Sequence, residues 1–99
     1  MKAEAALRRA LMALFADSRV TANIGNIRSE SWASATFSGT RHELQFHLSD
    51  ASGCHLLEGI GEREFDLPGH ILIDIVATEI GRDGDERLVA VEALTVEAD

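Results

Sequence analysis

Only one stretch of this 99-residue chain carries a helical period, and every later stretch that has a period alternates instead. Ala3, Ala6, Leu7, Ala10, Leu11, Leu14 and Phe15 recur at three- and four-residue steps, which gathers them on one side of a helix predicted over residues 2 to 17. Glu4, Arg8 and Arg9 fall on the other side. A stripe this apolar requires a surface to cover, and the alternating segments supply one. One helix followed by hairpins implies an α+β two-layer sandwich, the N-terminal helix packed on an antiparallel sheet of four to five strands. No linker or repeat divides the chain, so residues 1 to 99 are read as a single domain.

Residues 20 to 24 alternate briefly before Gly25 interrupts them. Residues 32 to 38 and 41 to 49 alternate on either side of Gly39-Thr40, and glycine first in a two-residue loop suits a type II′ turn. That turn sets Phe37 opposite His42, Ala35 opposite Leu44 and Ala33 opposite Phe46, with His42 at the rim of the core face and His47 across from Trp32. Residues 50 to 61 are irregular, with room for a short helix through Leu56 and Leu57. Pro68-Gly69 fits the centre of a type II turn that starts the next strand at His70.

The longest alternating runs are residues 70 to 80 and 86 to 97. A three-residue loop, Arg82-Asp83-Gly84, places Ile71, Ile73, Ile75 and Ala77 on one face with Val89, Val91 and Ala93. The other face then carries Leu72, Val76, Ile80, Leu88 and Leu94, with Asp74 directly across from Glu92. One helix covers one face of a sheet. The second apolar face is therefore expected either to lie under residues 50 to 65 or to meet another molecule, with a homodimer through Leu72, Val76, Ile80, Leu88 and Leu94 as the leading reading. The runner-up is a minimal enzyme or small-ligand binder. Two carboxylates facing each other in an apolar setting favour sharing a proton, so Asp74 and Glu92, with His47 beside them and Cys54 as a further candidate, form the alternative catalytic set.

Composition narrows the other classes. With 45% hydrophobic and 26% charged residues the chain has the make-up of a globular domain, and its 17 acidic against 9 basic residues argue against nucleic acid, which needs a basic surface. Residues 1 to 57 hold six basic and five acidic residues, whereas residues 58 to 99 hold three and twelve, so the acidity is a property of the C-terminal part. That part could attract a basic protein partner. No run reaches the roughly 18 apolar residues of a membrane span, and residues 1 to 20 lack the order of an export signal. A single cysteine excludes an internal disulfide and fits the cytoplasm. No histidine pair has the HxxxH or HExxH spacing of a helical zinc site, and neither a GxSxG elbow nor a phosphate-cradling glycine loop is present. No metal or cofactor is therefore expected.

Overall fold

The computed structural model describes residues 2–49 and 57–97. Helix α1 (Ala3–Asp17) lies on one face of an antiparallel sheet formed by β1 (Ala22–Ala33), β2 (Ser38–Leu48), β3 (His70–Asp83) and β4 (Glu86–Glu97). The strand order is β1-β2-β4-β3, so the two hairpins meet along β2 and β4, and β1 and β3 are the edges. This is the two-layer α+β sandwich implied by the periods, with four strands.

The helix ends where its sequence loses the stripe. Arg19 adopts φ 60° and donates its N–H to the Ala16 carbonyl, while Val20 N–H reaches back to the Phe15 carbonyl at 2.9 Å, the paired bonds of a Schellman end. Val20 is thereby turned into the core. Leu7, Leu11 and Phe15 project onto Leu44, Phe46 and Leu48 of β2, Val89, Val91 and Ala93 of β4, and Ile75 of β3. The Phe15 and Phe46 rings meet edge to face, centroids 5.3 Å apart, an arrangement that the ring quadrupoles favour. Ile60, in a short 3-10 turn (Ile60–Glu62), completes the same cluster, and Leu57 and Phe65 pack against it. The described part of the crossover thus covers the helix side of the sheet, not its outer side.

Both hairpin registers differ from those expected. Gly39-Thr40 lies inside β2, and the first reversal is the four-residue loop 34 to 37, closed by Ser34 N–H to the Phe37 carbonyl at 2.8 Å. Phe37 N–H also donates to the Ser34 hydroxyl at 3.1 Å. Ile27 now pairs with Leu44 and Ile24 with Phe46, across a bulge at Gly25-Asn26. This pairing sets two isoleucines beside the core residues of β2 where the expected one set alanines, so more apolar area leaves water. Phe37 is left exposed at the hairpin tip.

Gly39 has another use. A Cβ at this position would run into the Thr95 carbonyl of the neighbouring strand and lie 2.8 Å from the Trp32 ring, so glycine permits close strand contact beneath the indole. The second hairpin turns at Gly84-Asp85, with Gly84 at φ 64° and Arg82 paired with Arg87. Bulges between Leu72 and Asp74 and between Glu79 and Gly81 shift the rest of the register. Pro68-Gly69 behaves as expected: Gly69 has φ 79° and His70 N–H closes the turn on the Leu67 carbonyl.

Candidate functional site

The sheet face that no other described segment covers is the first candidate. Adjacent strands place Arg28, Glu43, Glu92 and Val76 in one row across it, and Glu30, Arg41, Leu94 and Asp74 in the next. Asp74 therefore pairs with Leu94, and Glu92 sits between Glu43 and Val76. The expected face-to-face carboxylate pair is replaced by a diagonal one, because the turn at Gly84-Asp85 and the bulge at Ile80 set β3 further along β4 than the expected loop would. The bulge at Ile73 re-aims three apolar residues: Leu72 pairs with Thr95 and packs against the core, whereas Ile71 and Ile73, expected inside, are 53% and 54% exposed.

Val76 and Ile80 are on the open side as expected, each about half exposed, and Leu88 and Leu94 lie partly exposed on the same face beside Ala90. His47 is opposite Asn23 and Leu88 rather than Trp32, with its Nδ1 3.4 Å from the Glu86 carboxylate. Arg28, Glu30, Arg41, Glu43 and Glu92 line an open cleft of about 580 Å³ at the β1–β2 side of this face. Neither Asp74 nor His47 lines it, so the structure does not gather the alternative catalytic set into one pocket. Cys54 lies outside the described residues.

The second candidate was not visible in the sequence beyond one residue. His42 has no exposed surface. Its Nδ1 is 3.1 Å from Ser29 Oγ and its Nε2 3.0 Å from Thr95 Oγ1, so both ring nitrogens are hydrogen-bonded on the core face where the sequence placed this residue. Ser29 Oγ–H donates to Glu4 Oε2 at 2.9 Å, and Thr95 Oγ1–H donates to the Thr40 carbonyl over a longer 3.4 Å. A polar chain thus links the first turn of α1 to β1, β2 and β4. It borders a cleft of about 390 Å³ between the helix N-terminus and the sheet end, which Lys2, Ser31, His70 and Glu97 also line. Burial pushes the His42 imidazole below its ordinary range; the Glu4 carboxylate opposes that shift and His70 adds to it.

A serine bonded to a histidine invites comparison with an activated nucleophile. Two features oppose it. The only carboxylate in the chain of contacts sits on the serine itself, where it would repel an alkoxide, and the far imidazole nitrogen is held by a threonine rather than by an acid. Its chemistry is that of a satisfied buried polar network. The signal available in the sequence was parity: His42 and Thr95 occupy core-facing positions in strands whose other core-facing members are apolar.

Among the described residues no group of three or more His, Cys, Asp or Glu side chains is placed to hold a metal ion, and no helix is long and apolar enough to cross a membrane. No protein-family model, curated protein or solved structure matches the chain.

Proposed function

We propose that this protein is a small non-catalytic assembly module that self-associates, a second copy covering its outer sheet face. The observation that carries the reading is the exposure of Ile71, Val76 and Ile80, each about half open to solvent, on a face continued by the partly exposed Leu88, Ala90 and Leu94. Apolar surface grouped in this way marks an interface far more often than scattered single residues do. The whole outer face, its charged β1–β2 side included, has the size of an interface: four strands about 4.8 Å apart and about twelve residues long offer roughly 750 Å², close to the ~800 Å² that each partner contributes to a standard interface. Two-fold closure is the commonest way for one patch to satisfy itself. Association through the face is favoured over pairing along the β3 edge, because both ends of that edge are bulged. The single cysteine fits a cytoplasmic setting. The small-ligand reading has less support, since only Glu92 of its three residues lines a cleft.

Sedimentation velocity over a concentration series tests the proposal. The wild type is expected to sediment as a dimer, and Val76→Asp or Leu94→Asp as a folded monomer. The dimer should persist at high salt, in contrast to an acidic surface binding a basic protein, whose attraction salt would screen. A wild type that stays monomeric throughout, or a Val76→Asp variant as dimeric as the parent, overturns the reading.

A further inference from the structure

The contacts around His42 can be counted in protons. Four hydrogen bonds join Glu4, Ser29, His42, Thr95 and the Thr40 carbonyl, while the two hydroxyls and a neutral imidazole bring three hydrogens. With the imidazole hydrogen on Nδ1, the three shorter contacts are satisfied together: Nδ1–H donates to Ser29, Ser29 to Glu4, and Thr95 to Nε2. Only the 3.4 Å contact from Thr95 to Thr40 is surrendered. A further proton on Nε2 would restore that long bond and place a full charge where the side chain has no exposed surface. A long neutral hydrogen bond contributes little net stability, whereas burying an ion is costly. The neutral ring therefore belongs to the closed arrangement.

We propose that the Glu4–Ser29–His42–Thr95 chain is an acid-released latch, holding the first turn of α1 on the sheet while His42 is neutral and freeing that turn when His42 takes up a proton. The turn buries only small side chains, Ala3 and Ala6, where the rest of the helix buries Leu7, Leu11 and Phe15. Its N-cap, Lys2, makes no side-chain capping bond, and Glu4 to Ser29 is the polar tie from this turn to β1. Lifting it hydrates the imidazolium and opens the cleft beneath. The charged groups facing His42 are Glu4 on α1 and His70 on β3, with Lys2 and Glu97 further along the cleft. Arg41 and Glu43, its neighbours on β2, share the opposite face with Leu94 and Glu92. The depressed imidazole agrees with this direction, since a group whose affinity for protons is lower in the closed state favours the open state as the pH falls below about 6.5.

Amide hydrogen exchange at Ala6, Leu7 and Arg8, corrected for intrinsic rates, reads the opening. Between pH 7 and pH 5 the opening constant of this turn is expected to rise, approaching tenfold per pH unit where one proton is coupled, while ring ¹⁵N shifts report His42 passing from the Nδ1–H tautomer to the cation. In His42→Gln the pH dependence should vanish, and in His70→Gln it should persist with its midpoint moved to higher pH. PH-independent opening in the wild type while His42 titrates overturns the proposal, as does its survival in His42→Gln or its loss in His70→Gln. Should His42→Gln fail to fold, the wild-type exchange and ring titration decide alone.

Discussion

The two faces of this sheet are made by the same strands and solve different problems. On the helix side Leu44, Phe46, Leu48, Val89 and Val91 have no exposed surface, and β2 alternates these apolar residues with Glu43, Gln45 and His47 on the outer side. That is the pattern of a strand with one dry face and one wet face. Strand β3 is apolar on both sides, and it is the strand with two bulges, which turn Leu72 inward and leave Ile71 and Ile73 outside. Apolar content alone therefore does not place a residue in the core; the side of the sheet to which the bulges turn it does. What β3 presents on the side away from α1 is surface left for something else.

The sharpest way to break this contrast is to disrupt an apolar residue on each face. Phe46→Ala deletes a ring packed edge-on against Phe15 at the centre of the helix side, and it should cost about 3–5 kcal/mol. Val76→Asp on the outer side should cost the isolated chain no more than about 1 kcal/mol, the spread of strand propensities, while removing self-association. Urea unfolding at a concentration where the variant is monomeric measures both. Equal losses would mean that the outer face is packed within one chain after all.

Much of the contrast was legible from residue order. The α1 stripe, the alternation in β2 and β4 and the Pro68-Gly69 turn fixed the layers, because each depends on neighbours within one turn or one strand. The registers were not legible, since bulges at Gly25-Asn26, Ile73 and Ile80 are settled by what lies across the sheet. A two-residue shift was enough to set Asp74 opposite Leu94 instead of Glu92. The same limit hid the chain of contacts through His42, whose members Glu4, Ser29 and Thr95 are far apart in sequence.

Gly39 shows the limit most directly, and it gives the next test. Read locally, glycine before threonine is a turn; in the sheet it is the place where β2 passes closest to the Thr95 carbonyl under Trp32. Gly39→Ala forces a methyl against backbone that cannot move aside, and overpacking of this kind costs about 1–3 kcal/mol. Gly25→Ala is the matched control. Its Cβ would meet His47 Nε2 at 3.4 Å, an ordinary contact, so thermal unfolding should place it within about 0.5 kcal/mol of the wild type. Equal effects at the two glycines would mean that the close approach, and with it the β2–β4 register at this end, is wrong.

The smallest expected effect lies at the margin where the helix side meets water. Glu79 holds Arg87 at 3.3 Å and Arg82 at 3.5 Å, and its side chain is 39% exposed. Long side chains lose rotamer freedom in such contacts, and solvent screens the attraction, so Glu79→Gln should cost about 0.2–1 kcal/mol. Urea unfolding at low salt and again near 1 M salt separates charge from packing. At ~1 M the screening length contracts to about 3 Å, and the difference between wild type and variant should shrink toward zero. A loss that salt does not reduce would assign Glu79 to the packing of the helix side, and the boundary between the two faces would then run one residue further along β3.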